Sequence, residues 1–473
     1  MKAMEKEEKL RSKLYALEPI VRKMPEVAVP KRHVSFKEKF MWAAIALIAF
    51  FVMTQIPLYG TPAREPFTDT NGNGVWDSGE PFTDLNNNGV RDAGVQEFFG
   101  QLRFVLASHT GSLMELGIGP IVTAGIIMQL LVGGKIIGLD LSEPEDRALF
   151  TGIQKFLAII MGLFEGAMLV LAGHYGVGLG SAAGIFILIQ LSLGAVVVIF
   201  LDELVSKYGI GSGVSLFIAG GVAMTVIWQG LNPMTGAIPN FAGAILGGEG
   251  FADAFFRAGP NMMGVVATIL VFLIVVYAES MRIEIPLAYG TYGGVRGRYP
   301  IKFLYTSNIP VILAMTVFAN FRIIAAVLNA PWISEYTSAP NGLSAVIANP
   351  LHAVIYMVIL VFACMGFAWL WVNLTSMGPR DVAKQLDESG MLIPGFRRDI
   401  KVMEWVLSRY IMPTAILGGV FVGLLSAGAD FLGALGSGTG ILLTVGIMYS
   451  LYQEIAKERV ADMFPAVRRF LGE

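Results

Sequence analysis

Ten stretches of mostly apolar residues constrain this chain most, because crossing the hydrocarbon core of a bilayer as a helix takes about 17 to 25 such residues. A membrane-spanning segment must also satisfy its backbone hydrogen bonds internally, which favours a helix. The stretches cover residues 40–58, 116–132, 156–172, 182–201, 214–231, 262–278, 303–321, 345–372, 411–427 and 441–455. The sequence therefore predicts an all-α membrane protein with ten transmembrane helices.

The second and tenth stretches depart from a simple span. Pro120 and several glycines interrupt the second stretch, and the tenth is short and flanked by glycine. Because proline removes a backbone donor and glycine lets a helix bend, we expect these two spans to be broken or tilted.

The distribution of basic residues predicts the orientation of the chain, because cytoplasmic loops of membrane proteins are enriched in lysine and arginine. With ten spans, only five of the 34 basic residues fall on the side opposite the N-terminus: Arg64, Arg91, Arg103, Arg257 and Arg322. Both termini are therefore predicted to be cytoplasmic. The composition agrees with a membrane protein, since 55% of the residues are hydrophobic and only 15% are charged.

The two terminal segments lie outside the spans. Residues 1–39 are charged throughout and contain no uninterrupted apolar run, so we expect no signal peptide. Their leucines, isoleucine and valines can line one helical face, which predicts an amphipathic helix on the cytoplasmic membrane surface. Residues 456–473 are predicted to form a cytoplasmic tail.

The sequence contains no motif typical of an enzyme: there is no P-loop, no GxSxG, no HExxH and no dinucleotide-binding glycine pattern between a strand and a helix. The single cysteine, Cys364, lies within an apolar stretch, so no disulfide can form within the chain. We therefore expect no enzyme activity and no cofactor for transport.

Charged residues are scarce within the spans, where they normally mark a pathway or a pairing. Glu165 is the only carboxylate midway along an apolar stretch, while Lys155, Asp202, Glu279 and Arg322 fall near predicted span ends, where snorkelling explains them. A secondary solute transporter usually needs more buried charge, although its broken helices leave it as the main alternative. A structural scaffold without a pore is a third interpretation.

Two pairs of aliphatic residues lie on glycine-rich helical faces. Ile118 and Val122 are four residues apart, as are Val214 and Ile218, so each pair lies on one face of a helix. A pore constriction needs such residues, but ordinary packing of membrane helices produces the same pattern.

The loop at residues 60–115 contains an internal repeat within residues 65–95. "EPFTDTNGNGVWDSG" is followed directly by "EPFTDLNNNGVRDAG". The first copy, with Glu80, fits the calcium-loop pattern D-x-[DN]-x-[DN]-G-x5-E, in which oxygen ligands surround a turn. The predicted ligands are Asp69, Asn71, Asn73, the carbonyl of Val75, Asp77 and Glu80.

The second copy predicts a weaker calcium site. It offers Asp84, Asn86, Asn88 and Asp92 but has Val95 where the pattern requires a bidentate carboxylate. We expect calcium affinity on the order of 0.1 to 1 mM, which is typical of extracellular sites. The alternative is a surface turn rich in asparagine and glycine.

Two long loops on the predicted cytoplasmic side, residues 279–302 and 376–410, carry clustered basic residues. One interpretation is ordinary enrichment of cytoplasmic loops in positive charge. The other is a docking surface for an anionic partner such as ribosomal RNA, because Arg397 and Arg398 lie on a Pro/Gly turn, "IPGFRRD".

Five segments of the chain resemble the SecY family, the pore subunit of the Sec translocon. They are "LGIGPIVTAGIIMQLLVG", "LDELVSKYGIGSGVSLFIAGGV", "VVYAESMRIEIPLA", "YPIKFLYTSNIPVILA" and "GTGILLTVGIMY". "GPIVTAG" and the spacing are more similar to the archaeal branch than to the bacterial one. The resemblance implies two halves of five spans, residues 40–231 and 262–455, with inverted pseudo-symmetry around an hourglass pore with a lateral gate.

The resemblance also implies which residues close the pore. A ring of aliphatic side chains at its waist falls on Ile118, Val122, Val214, Ile218, Ile312 and Leu443. A short plug helix at about residues 96–112 contributes Phe98, Phe99, Leu102, Phe104, Val105 and Leu106. The alternative interpretation of the same segment is a re-entrant or interfacial helix without a gating role.

By the same resemblance, a lateral gate opens between the second and third spans and the seventh and eighth, with Thr123, Glu165 and Asn320 as its polar cluster. Arg296, Arg298, Arg397 and Arg398 fall in the loops that dock a ribosome or motor. The implied partners are a single-span SecE/gamma-type subunit, a small beta-type subunit, the ribosome, signal peptides, nascent or unfolded polypeptides and the lipid bilayer. The implied location is the cell membrane.

Overall fold

The structure, a computed structural model, describes residues 15, 18–32, 34–61, 98–100, 102–134, 136–139, 141, 143–256, 259–289, 296–306, 308–375, 377–392 and 399–463. Each of the ten predicted spans coincides with a helix in this part of the chain. Seven of the described helices are long and apolar enough to cross a membrane. The prediction of a helical multi-pass membrane protein is therefore confirmed.

The first half contains five of the ten span helices. Its helices are α1 (Glu18–Val21), α2 (Phe36–Thr54), α3 (Leu102–Leu106), α4 (Gly119–Gly133), α5 (Pro144–Leu171), α6 (Ala182–Tyr208) and α7 (Gly213–Leu231). Side chains satisfy free backbone donors where two spans begin: Ser35 accepts from Glu38 N–H, and Ser181 accepts from Gly184 N–H. Below, the inner side is the side at which α2 begins, and the outer side is the other.

The second half, together with the connection from the first half, contains the other five spans and five shorter helices. Its bounds, with the connection from the first half, are α8 (Ala237–Leu246), α9 (Phe251–Phe255), α10 (Met262–Ser280), α11 (Ile309–Val327), α12 (Pro331–Tyr336), α13 (Gly342–Ala348), α14 (Pro350–Leu374), α15 (Pro379–Glu388), α16 (Ile400–Phe431) and α17 (Gly438–Met463). Four of these begin with proline at the first or second position, where its missing N–H costs no helical hydrogen bond.

A small antiparallel sheet lies on the inner side, where the sequence predicted only basic loops. It consists of β1 (Arg282–Tyr289), β2 (Arg296–Lys302) and β3 (Met391–Leu392), in the order β2-β1-β3. Ile285 and Leu287 alternate along β1 and point into a core that includes Met403 and Leu407 of α16. The alternating apolar residues in a charged segment explain why a sheet forms in an otherwise helical protein.

The two halves contact each other along two seams. On one side of the molecule α7 packs against α17, and on the other side α4 and α5 pack against α11 while α4 also contacts α14. The second seam joins the second and third spans to the seventh and eighth. This is the arrangement that the family resemblance implies for a lateral gate.

Helix bounds differ from the predicted spans at several points. Helix α4 has only 15 residues, and α2 carries three charged residues in its first turn. Helix α5 starts at Pro144 rather than residue 156, because Pro144 suits a helix start and Glu145 and Asp146 favour its positive N-terminal end. The loop at 376–410 contains α15 and the start of α16, and in the described N-terminal residues the helix spans only Glu18–Val21.

Helix α16 has 32 residues and contains Pro413. Its inner turns belong to the core beneath the sheet through Met403 and Leu407. At its outer end, the Asp430 carboxylate accepts a 2.7 Å hydrogen bond from the backbone N–H of Gly438, where α17 begins. The side chain of Asp430 thereby joins the last two spans.

Candidate pore, plug and lateral gate

The six predicted ring residues lie on four helices and belong to one apolar cluster in the centre of the molecule. Helix α4 and its N-cap supply two, α7 supplies two, and α11 and α17 supply one each. Ile118, Ile218 and Leu443 are fully buried in this cluster, and Val122, Val214 and Ile312 are half-buried against it. The structure brings residues from both halves together, and their role as a ring remains a prediction.

The chain enters α4 through a turn that requires glycine. Gly117 has a φ of +53°, and a Cβ at this position would overlap the carbonyl oxygen of Leu106. The turn places Ile118 at the N-cap of α4, where its backbone N–H donates a 2.8 Å hydrogen bond to that same carbonyl oxygen. The backbone of a predicted ring residue is thus hydrogen-bonded to the last residue of the plug helix.

Asn308 holds the backbone at another ring position, and sequence reasoning missed it. Its Nδ2 donates to the carbonyl oxygen of Leu443 at 3.3 Å and to that of Leu442 at 3.4 Å. Gly446 permits this approach, since any Cβ there would overlap the Asn308 amide. The signal available in the sequence was a polar residue at the start of an apolar stretch, directly before Ile309 and Pro310.

The plug segment, defined here as residues 98–109, contains a shorter helix than predicted. Its helix α3 has five residues, and it contacts α7 of the first half and α11 and α17 of the second. The predicted apolar residues face these helices: Phe99, Leu102, Val105 and Leu106 are buried, and Phe98 and Phe104 are half-buried. Ala107, with a φ of +49°, ends the helix.

Arg322 binds the backbone just before the plug helix, which corrects the prediction that it snorkels toward a span end. Its guanidinium donates to the carbonyl oxygen of Phe98 at 2.6 Å and to that of Phe99 at 2.9 Å. The guanidinium carbon also lies 5.9 Å from the centre of the Phe98 ring. Arg322 lies on α11, in the second half.

The segment that follows the plug is tied to the first half through Glu115, which is fully buried. The Tyr175 hydroxyl donates to its carboxylate at 2.8 Å, the Gly111 backbone N–H donates at 3.1 Å, and His174 Nε2 lies 2.6 Å away. Burial and the adjacent carboxylate raise the pKa of Tyr175 well above its usual value, so its hydroxyl remains a donor. This cluster was not predicted.

The three predicted gate residues are in contact across the seam between the halves. The Thr123 hydroxyl on α4 donates to Glu165 Oε1 on α5 at 3.0 Å. The same hydroxyl accepts from Asn320 Nδ2 on α11 at 3.2 Å. A hydroxyl can donate and accept at once, so Thr123 connects the first half to the second.

A cavity of about 720 Å³ opens on the outer side of the apolar cluster. Arg103 and Phe104 of the plug helix line one wall, and Arg322, Tyr356 and Asp430 of the second half line the other. The plug segment and the second half therefore line this cavity together.

Most of the predicted docking side chains and all of the predicted calcium ligands lie outside the described residues. Arg298 is exposed on β2 and donates to Glu284 of β1, which lowers the pKa of that carboxyl group. The side chain of Arg296 and the residues Arg397 and Arg398 lie outside the described residues. So does the whole calcium-loop repeat, at residues 65–95.

Sequence comparison relates the chain to protein translocase subunits. The SecY family model matches residues 112–452. The protein translocase subunit SecY of Pyrococcus furiosus is 45% identical, with 97% of this chain and 98% of the relative covered. The corresponding subunit of Methanocaldococcus jannaschii is 42% identical, with 96% and 99% covered.

Structural comparison leads to the same relatives. A solved structure of a protein-conducting channel has a TM-score of 0.77 at 42% identity, with 95% of this chain and 99% of that chain covered. A SecY structure that describes the plug domain as stabilising the closed state and maintaining a membrane seal has a TM-score of 0.74 at 40% identity, with the same coverage. Sec61 in a canine ribosome-channel complex has a TM-score of 0.75 at 40% identity, again with the same coverage.

The matches extend over nearly the whole chain and over the whole of these relatives, which are archaeal where the sequences are compared. They support a channel subunit for protein translocation and give no support to the secondary solute transporter. On the strength of this coverage and identity, the chain belongs to the SecY family.

Proposed function

We propose that the six aliphatic residues form the constriction through which unfolded secretory proteins cross the membrane. The observation that supports this role is their position: two halves of the molecule contribute these residues to one apolar cluster, and buried plug residues belong to the same cluster. A narrow aliphatic constriction resists ions because water does not wet it, yet it makes no specific demand on the passing side chain. Driving energy comes from a partner, and this chain itself catalyses no reaction.

Crosslinking tests the path directly. A translocating chain stalled partway through the channel should crosslink to a photoreactive residue at Val122 or Ile218. Leu163 on α5 is 51% exposed and offers a matched position outside the apolar cluster. Crosslinks at Leu163 that equal those at Val122 and Ile218 would contradict the proposed path.

The plug segment is proposed to keep the idle pore closed. It contacts helices of both halves, and its carbonyl at Leu106 is bonded to the backbone of Ile118. Displacing it therefore requires the loss of apolar contacts with both halves, which favours the closed state when no substrate is present.

The contact between Thr123 and Asn320 is proposed to hold the lateral gate closed. Interhelical hydrogen bonds between membrane helices contribute about 0.6 kcal/mol on average, so this seam can open at modest cost. A hydrophobic signal sequence or membrane segment that enters between α4 and α11 would replace this contact with apolar ones and reach lipid.

A single-span SecE/gamma-type subunit is proposed to bind at the other seam. A groove of about 570 Å³ lies there between α7, α10 and α17. Its walls are mostly apolar and include Val226 of the first half and Phe272 and Met448 of the second. One apolar helix in this groove would contact both halves and hold them together opposite the gate. A small beta-type subunit is proposed as a further partner.

The sheet and the loop at residues 393–398 are proposed to dock the ribosome, as the ribosome-bound relative suggests. Arg298 is exposed on the sheet, and Arg296, Arg397 and Arg398 belong to the same inner side by sequence. Exposed arginines suit the phosphates of ribosomal RNA. With this side facing the cytoplasm of the cell, both termini are cytoplasmic, in agreement with the distribution of basic residues.

The repeat at residues 65–95 is proposed to bind calcium on the outer side. The proposal is supported by the sequence pattern, in which Asp69 and Glu80 occupy the first and twelfth positions of the loop. A bound ion would order this long acidic loop above the pore, and no role in gating is assigned to it.

A further inference from the structure

We propose that Arg322 is a positioning residue that holds the plug segment in place only while helix α11 stays in its gate-closed position. The inference rests on the proposed roles of plug and gate, and it names the side chain that connects them. Arg322 donates to the carbonyl oxygens of Phe98 and Phe99, directly before the plug helix.

The turn at residues 98–100 presents these two carbonyl groups to Arg322. Gly100 has a φ of +54°, which favours glycine, and a Cβ there would lie 3.5 Å from Arg322 Nη1. Phe99 is buried at 3% exposure, so the backbone that accepts these bonds is packed inside the molecule, while Arg322 also borders the outer cavity. The planar guanidinium can bind two neighbouring acceptors at once, which a lysine ammonium does less well.

The same turn also touches the first half. The Phe98 ring lies 5.3 Å from the ring of His174, which is bound to Glu115. Phe98 therefore lies between Arg322 of the second half and His174 of the first. Separating the halves at the gate removes one of these two contacts.

Helix α11 carries the gate contact and the plug contact on different faces. Asn320 donates to Thr123 at the gate, and Arg322 follows two residues later. In an α-helix two residues are about 200° apart around the axis and about 3 Å apart along it. A shift of α11 that breaks the bond between Asn320 and Thr123 therefore also moves the Arg322 guanidinium relative to the plug carbonyls.

A double-mutant cycle tests this connection in the full-length channel complex in proteoliposomes. The readout is the rate at which a water-soluble maleimide, added on the outer side, modifies a cysteine introduced by Val105→Cys. Val105 is 1% exposed on the plug helix, and replacing Cys364 by alanine leaves this as the only thiol. Asn320→Ala, which weakens the gate, should raise the rate about threefold, in line with the loss of one interhelical hydrogen bond.

Arg322→Gln should raise the rate about tenfold, because two hydrogen bonds from a charged donor are lost. The double variant should react at the rate of Arg322→Gln alone. Without the Arg322 guanidinium, the position of α11 no longer affects how firmly the plug segment is held. Gln190→Ala is the matched control: it removes two hydrogen bonds to the backbone of Tyr59 on the outer side and should react like the parent. If Arg322→Gln does not fold, Arg322→Lys takes its place, and its reaction rate alone and with Asn320→Ala is compared with that of the parent in the same way.

A reaction rate of Arg322→Gln equal to that of the parent would overturn the proposal. So would a double variant whose rate increase is the product of the two single increases, since independent sites behave in that way. A variant in which residues 98–109 are deleted shows whether such a result refutes only the role of Arg322 or the proposed role of the plug as well. A deletion that leaks ions while Arg322→Gln reacts normally refutes only the positioning role, and a deletion without a leak refutes the plug role itself.

Discussion

The backbone N–H of Ile118 donates a 2.8 Å hydrogen bond to the carbonyl oxygen of Leu106, which joins the predicted pore ring to the plug helix. A bond between backbone groups survives any change of side chain at either residue. Substitutions at Ile118 therefore test the apolar surface of the constriction without removing this link to the plug.

Polar replacement of the constriction should make the resting channel leak ions. In the variant Ile118→Asn with Val214→Asn, amide groups from α4 and α7 wet the constriction and remove the barrier that dewetting provides. The measurement is the conductance of the reconstituted complex without substrate. The aliphatic variant Ile118→Val with Val214→Ile is the control and should stay closed, and equal conductance of both variants would rule out the ring.

Deleting residues 98–109 should raise the resting conductance and relax discrimination against defective signal sequences, while translocation persists. The plug shifts the balance of closed and open states and supplies none of the driving force. Conductance and transport of a reporter with a defective signal sequence are measured together. A folded deletion variant that no longer transports any substrate would show that the segment is a structural element.

Thr123→Val should allow less hydrophobic signal peptides to open the lateral gate. Valine keeps the shape of threonine but loses the hydrogen bond from Asn320 across the seam, which contributes about 0.6 kcal/mol, or roughly a threefold change in the closed-to-open ratio. Crosslinking of a weakly hydrophobic signal peptide to α4 is the measurement. Thr225→Val is a suitable control because its hydroxyl bonds only within α7, and an effect as large as that of Thr123→Val would argue against the gate contact.

Tyr175→Phe should reduce the stability of the protein by about 1 to 3 kcal/mol, because the buried Glu115 carboxylate loses a donor. The pKa of Tyr175 is raised in the folded protein, so this contribution is full below the unfolded tyrosine pKa of about 10 and is lost as the pH rises through the folded pKa. Thermal unfolding is measured against Tyr59→Phe, whose ring is 79% exposed. Equal unfolding temperatures for the two variants would contradict the structural role of Glu115.

Calcium should bind the intact protein at millimolar concentration with measurable heat in calorimetry. Asp69→Ala with Glu80→Ala should abolish this heat, because these residues provide the first ligand and the bidentate carboxylate of the loop. Asp84→Ala with Asp92→Ala tests the weaker copy and should leave most of the heat intact. Equal heat from the parent and from the Asp69 and Glu80 variant would eliminate the site.

The sequence predicted the spans well because a long apolar stretch has few alternatives to a membrane helix. It predicted their ends less well: α5 begins at Pro144 because helical hydrogen bonding continues beyond the apolar residues into a polar segment. It missed the inner sheet because Ile285 and Leu287 form only a short alternating pattern in a segment flanked by clustered basic charge. The local composition gives no sign of this core, because the core forms only when α16 packs against the sheet.

The polar contacts of the site were predicted in part. Thr123, Glu165 and Asn320 were grouped by family resemblance, and the structure places them within hydrogen-bond distance. Glu115 and Tyr175 are 60 residues apart, and no periodicity in the sequence connects them. Snorkelling of Arg322 is predicted because a sequence shows that an arginine is near a span end, but not that the carbonyl groups of Phe98 and Phe99 lie within hydrogen-bond distance of it.

The length of α16 has a mechanical consequence. A helix of 32 residues measures about 48 Å, well beyond the roughly 30 Å of the hydrocarbon core. Its inner turns are embedded beneath the sheet, and Asp430 at its far end borders the outer cavity. Pro413 removes one backbone hydrogen bond between these ends and so provides a point of flexure. Bending at Pro413 would let the inner turns of α16 follow a movement of the sheet while its outer turns stay beside the cavity.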